Sequence, residues 1–127
     1  MGAFYLDSSA LVKLVVEEAE SSALNRFVRD AAERLFSSVL AISEVGRAAR
    51  RAGATATGVI ERLTLVEATE GLLAEAVTIE PPSLRTLDAL HLASALSVSD
   101  ALDGFIAYDR RLVEAARASG LDVSSPS

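Results

Sequence analysis

The sequence predicts an α/β fold with a mostly parallel central sheet flanked by helices. Three observations lead there. Short apolar runs, AFYL at 3–6 and GFIAYD at 104–109, each stop at an aspartate. Between them lie stretches with apolar residues at helical spacing, such as Leu24, Phe27, Val28 and Ala31. Serines, glycines and prolines punctuate the boundaries. Strands that alternate with helices build a sheet of parallel neighbours with helical crossovers. The chain has 127 residues, with no repeat, linker or low-complexity segment, so one domain over 1–127 is the economical reading.

Residues 3–6 read as a buried strand. Ser8 or Ser9 can cap a first helix running to about Val16. Ser21 or Ser22 opens a second, and Leu35-Phe36 is a short strand. Ser37 or Ser38 can cap a third helix that reaches about Ala52, where Gly53 is a stop signal. Residues 55–66 read as helical despite Gly58 and Thr64, with a brief strand at 66–68. Gly71–Val77 is another helix, ended by Pro81-Pro82. Ser83 or Thr86 can cap the next, which extends to about Ser97. GFIAYD is the clearest later strand, RRLVEAARASG an amphipathic helix with a glycine stop, and 121–123 a last short strand.

Composition narrows the function. Half of the residues are hydrophobic, so a disordered chain is excluded. The mean hydropathy of +0.33 suggests an apolar surface kept for a partner or a second copy. No charge-free apolar run approaches the roughly eighteen residues of a membrane helix. The N-terminus lacks the basic region of a signal peptide, so a cytoplasmic location is expected. With no cysteine, disulfides and thiolate metal sites are excluded. The net charge of −6 argues against a non-specific nucleic-acid binder. Yet eleven of the twelve basic residues are Arg, and Lys13 is the single Lys. Arg suits bidentate phosphate contacts, although codon preference would also enrich it.

Four acids need explaining. Asp7 and Asp109 end two strands, and ligands of open parallel sheets bind outside the carboxyl ends of strands. If those strands are neighbours, both carboxylates share one edge. Asp100 and Asp103 precede the late strand and belong to the opposite edge. Glu44 and Asp88 lie on helices. Each acid also has a plain structural reading. Asp7 and Asp109 are acceptable N-caps, Asp88 favours a helix dipole, and Glu44 can pair with Arg47 at i+3. Ser8 and Ser9 are rival caps that would free Asp7.

The blocks YLDSSALVKL, SEVGRA, LRTLDALHLASAL and FIAYDRRLVEAARASGL resemble, in order and spacing, the PIN-domain nucleases, and among them the VapC toxins of bacterial toxin–antitoxin pairs. The resemblance covers essentially the whole chain. It implies a three-layer α/β/α domain and a metal-dependent endoribonuclease that cuts transfer or ribosomal RNA. It further implies a homodimer and neutralisation by a cognate VapB-like antitoxin. The family's acidic positions fall on Asp7, Glu44, Asp88 and Asp109, which would hold Mg²⁺ or Mn²⁺. Its small hydroxyl after the first acid falls on Ser8. The family often has Thr or Ser two residues before the last acid; here Ala107 removes one hydroxyl that could orient Asp109.

The chemistry suits that acid set independently. Mg²⁺ and Mn²⁺ are hard ions that take oxygen ligands and keep several waters, so a few carboxylates suffice. Clustered carboxylates repel, and at least one should have a raised pKa. His91, three residues after Asp88, is read as structural. Arg47, Arg51 and Arg110, with Arg50 and Arg111, are candidate RNA phosphate contacts, against a reading as solvated helix faces. Tyr5 and Tyr108 are read as strand core. A phosphoacceptor receiver-type domain resembles this chain in length and acidic pocket, but carries a late Lys that is missing here. A non-catalytic PIN-like protein that binds RNA or a partner is the remaining alternative.

Overall fold

The computed structural model describes residues 2–127. Its five strands are β1 (Ala3–Leu6), β2 (Arg34–Ser38), β3 (Leu63–Val66), β4 (Gly104–Ile106) and β5 (Val123–Ser124). They form one sheet in the order β3-β2-β1-β4-β5. Every neighbouring pair is parallel. The chain steps outward from β1 through β2 to β3, then returns to the other side of β1 for β4 and β5. The strand order therefore reverses between β1 and β4, and a crevice opens there at the carboxyl edge. Receiver-type domains run 2-1-3-4-5, so that alternative fails on topology.

Strand alternation sorts the side chains into two cores. Tyr5, Phe36 and Phe105 point to one face, against Leu92 and Ala95 of α6 (Thr86–Ser97) and Leu112 and Ala116 of α7 (Arg110–Ala118). Tyr5 stacks on Phe105 with ring centroids 5.5 Å apart. Leu6, Leu35 and Ile106 point to the other face. There they meet Leu11 of α1 (Ser8–Val15), Leu24 and Val28 of α2 (Ser21–Ala31), and Val45 of α3 (Ala41–Arg51). Each buried Leu, Ile, Val or Phe among them contributes about 1.5–3 kcal/mol. The three layers expected from the sequence are thus present. Residues Ala89–Ala95 of α6 are buried all round, because the helix lies between the sheet and α5 (Glu70–Val77). Gly104 lets β4 approach β1: a Cβ there would sit 2.9 Å from the Phe4 ring. No helix among the described residues is long and apolar enough to cross a membrane.

Several boundaries differ from expectation. The helix expected over 55–66 is a short α4 (Thr57–Glu61) followed by β3 at 63–66, which displaces the strand expected at 66–68. The alternation Leu-Thr-Leu-Val pairs with β2, and sheet pairing outweighs local helical spacing. Ser37 and Ser38 end β2 instead of capping a helix. Ser37 Oγ donates to the Leu6 carbonyl at 2.7 Å, and α3 starts after Leu40 with no side-chain cap. Neither Ser83 nor Thr86 caps α6; Arg85 holds the cap position without a side-chain bond to the helix amides. In GFIAYD only 104–106 pair, and the last strand is 123–124. Asp103 lies at the edge away from the crevice, as expected, and accepts the Ala3 amide at 2.8 Å.

Candidate active site

The crevice at the carboxyl edge is a cavity of about 540 Å³. Asp7, Glu44, Asp88 and Asp109 all line it, with Ser8, Ser9, Lys13, Arg85, Leu87, His91 and Tyr108. Four separate segments thus deliver one acid each. A cavity of about 610 Å³ lies elsewhere, between α5 and α6, but offers only Glu67, Glu75 and small hydroxyls on an apolar lining. The acids single out the first.

Asp7 follows β1 directly, and its amide donates to the Ile106 carbonyl at 3.3 Å, so β4 holds it at the crevice. It is 3% exposed. Contrary to expectation, Asp7 itself caps α1: its Oδ1 accepts from Ala10 N at 2.9 Å. Ser8 and Ser9 are not the caps. Ser9 Oγ instead donates to Asp7, at 3.0 and 2.9 Å from the two carboxylate oxygens. The cap takes Oδ1 while Oδ2, among the described residues, accepts only the Ser9 hydroxyl, so capping α1 does not remove Asp7 from the cavity lining. Burial pushes the Asp7 carboxyl above its ordinary pKa. The Ala10 amide, His91 and Ser9 pull it down, and Asp88 adds to the rise. The rise expected from carboxylate crowding is present, with burial as its main cause.

Glu44 does not pair with Arg47. Its Oε1 accepts from Ser8 Oγ at 2.6 Å and from His91 Nε2 at 2.9 Å. Burial disfavours the Glu44 carboxylate, but the His91 and Ser8 hydrogen bonds outweigh it and hold the pKa below its usual value. His91 is buried, as a structural reading requires, yet it touches the site. Its Nδ1 lies 2.8 Å from Tyr5 Oη, and its Nε2 lies 3.0 Å from Ser8 Oγ. Burial raises the Tyr5 pKa strongly, so the phenol keeps its proton. The Tyr5 O–H donates to Nδ1, and Nε2–H is left to donate towards Glu44. Tyr5 is a core residue, as expected. Tyr108 is so only in part: half-buried, it packs against the second core, but it lies past the end of β4, lines the cavity and donates to the Pro126 carbonyl at 2.7 Å.

Asp88 sits in the first turn of α6, and Asp109 caps α7 through Arg111 N and Leu112 N at 3.0 and 3.1 Å. Those amides orient Asp109 without the hydroxyl that Ala107 lacks. Arg85 joins the two acids. Its Nε is 3.1 Å from Asp88 Oδ2, and its Nη2 is 3.6 Å from Asp109 Oδ2. Sequence reasoning passed over Arg85, although its place three residues before Asp88 was the available signal. Arg47 and Arg51 lie exposed on α3 and Arg110 is exposed at the start of α7; none of them lines the cavity.

Among the described residues, no three acid or imidazole groups close in tightly enough to clasp a bare ion. The donor set nevertheless fits a hydrated Mg²⁺ or Mn²⁺, which binds through one or two carboxylates and retains water. The lining offers carboxylate and hydroxyl oxygens in excess of positive charge, and no thiolate.

An acid-lined crevice at the switch point of a parallel sheet defines a ligand-binding α/β domain with an acidic site. The PIN-domain family model matches residues 4–118, and the chain belongs to that family. It is 42% identical over 134 residues to Ribonuclease VapC46 of Mycobacterium tuberculosis H37Rv, with all of both chains covered. Ribonuclease VapC47 of the same species is 34% identical over 96% of each chain. The crystal structure of M. tuberculosis VapC20, a sarcin-ricin loop cleaving toxin, matches with a TM-score of 0.74. The match covers 97% of this chain and 99% of that one, at 16% identity, and so speaks for the fold.

Proposed function

We propose that this chain is an endoribonuclease toxin that hydrolyses RNA phosphodiester bonds with Mg²⁺ or Mn²⁺. One observation carries the reading: four acids from four segments face one cavity at the sheet's switch point. The ribonuclease names of its relatives agree with it. Asp7, Glu44, Asp88 and Asp109 would hold the ion. When bound, such an ion neutralises phosphate charge and lowers the pKa of a water. The chain's own part is to fix the acids. Ser9 and the Ala10 amide orient Asp7, Ser8 and His91 orient Glu44, and two α7 amides orient Asp109. Arg47, Arg51 and Arg110 are proposed to meet phosphates flanking the scissile bond.

The same reading places the protein in the cytoplasm with a VapB-like antitoxin as its neutralising partner, and as a homodimer. Transfer or ribosomal RNA is the proposed substrate. Leu73 and Val77, 45% and 84% exposed one turn apart on α5, offer apolar surface for such contacts.

The test is cleavage of RNA by the purified chain, with Mn²⁺ and then with chelator. Cleavage should need the metal, and Asp7→Asn or Asp88→Asn should each lose roughly 100-fold or more in rate, the scale of losing one electrostatic group. Variants that cut as fast as wild type would refute the site. RNA bound but uncut in Mn²⁺ would favour the non-catalytic alternative.

A further inference from the structure

The cations that line the acid cavity, among the described residues, are Lys13 and Arg85. Lys13 is committed elsewhere. Its Nζ lies 2.8 Å from Glu20 and 3.2 Å from Glu18, above the Tyr108 ring. Arg85 alone spans two of the four acids, one on α6 and one on α7, and in both it meets the Oδ2 oxygen. Asp109 Oδ1 is already taken by the α7 amides, so Oδ2 is the oxygen it can still offer a cation. The guanidinium therefore stands on the lone pairs that a divalent ion would need.

The Arg85 side chain is 71% exposed. Little packing holds it, and it can leave the acids without disturbing α6. Two cations repel one another at such a spot, so ion entry and Arg85 departure are linked. A displaced guanidinium would remain at the mouth of the same cavity, where its planar fork matches a phosphate.

We infer that Arg85 is an exchangeable counterion: it occupies Asp88 and Asp109 before metal binds, and is released by the metal to bind the RNA phosphate. It is a positioning and substrate-binding residue, and the inference rests on the metal-dependent reading above. Metal and RNA then help each other bind, because the first frees the group that holds the second.

Mn²⁺ binding without RNA, followed by titration calorimetry or by the loss of the free-ion EPR signal, tests it. Arg85→Gln should bind Mn²⁺ about two- to five-fold more tightly than wild type, the range for removing an exposed ion pair. Its KM for RNA should rise while kcat stays within about two-fold, as loss of uniform binding requires. Arg85→Lys, which keeps the charge but cannot span both acids, should fall between the two in both measurements. Wild-type Mn²⁺ binding that Arg85→Gln leaves unchanged or weakens overturns this inference and leaves the metal site standing. No Mn²⁺ binding by either protein overturns the metal reading and this inference with it.

Discussion

At the end of β1, Asp7 is 3% exposed, yet its carboxylate accepts from Ala10 N and Ser9 Oγ. Burial still lifts its pKa above the ordinary value. A carboxyl with a raised folded-state pKa carries no penalty below the unfolded pKa of about 4. The penalty grows as pH climbs through the folded value and is complete above it. Asp7→Asn keeps an acceptor for Ala10 and removes the charge. The metal-free variant should therefore melt at a higher temperature than wild type at pH 7, with the gain vanishing towards pH 4; thermal melts across that range check it. Excess Mn²⁺ should reverse the order, by stabilising wild type alone. Glu44 presents the opposite sign. Despite burial, the His91 and Ser8 hydrogen bonds hold its pKa down, so its ionised form persists to lower pH. Ser8→Ala removes one of those donors. The acid limb of the kcat/KM profile should move to higher pH, so that the variant loses more activity at pH 5 than at pH 8.

The strands and helices that carry these acids were largely legible, because the features that encode them are local. AFYL runs directly into a capping aspartate, GFI reaches one after Ala107 and Tyr108, and the helices after them show amphipathic spacing. The segment 55–66 was not legible, because its strand exists only through pairing of Leu63–Val66 with β2. Ser37 and Ser38 misled for a related reason. A serine that bonds a neighbouring strand's carbonyl cannot be told by sequence from one that caps a helix. The four acids were readable by position and resemblance. The contacts of His91 with Glu44 and Tyr5, and of Arg85 with Asp109, were not, since they need the tertiary arrangement; only the pairing of Arg85 with Asp88 is local. Between β1 and β4 the fit depends on Gly104, where a Cβ would sit 2.9 Å from the Phe4 ring and 3.3 Å from the Asp122 carbonyl. Gly104→Ala must push these strands apart or turn the ring, at a cost of about 1–3 kcal/mol for overpacking. Because β1 and β4 deliver Asp7 and Asp109, kcat should fall with stability. Urea denaturation and RNA cleavage, measured on the same variant, check both.

For the whole molecule, a net charge of −6 opposes approach to a polyanion. RNA binding therefore has to be local, and two helices show how. Glu44 faces the cavity from α3 while Arg47 and Arg51 on the same helix stand in solvent. Asp109 caps α7, and Arg110 beside it is exposed. Each helix thus turns an acid towards the crevice and an arginine outward, which would track a strand of phosphates passing over the cavity. Arg34 provides a control. It starts β2, at the sheet edge away from the crevice, and lies over the Phe36 ring. Binding by phosphate contacts falls with salt, with a log–log slope of about −0.7 per contact on single strands. Arg47→Ala, Arg51→Ala and Arg110→Ala should each raise KM and flatten the salt dependence of 1/KM by roughly that 0.7, with kcat little changed. Arg34→Ala should alter neither. If the three variants keep the wild-type slope while Arg34→Ala flattens it, the RNA lies across the other edge of the sheet.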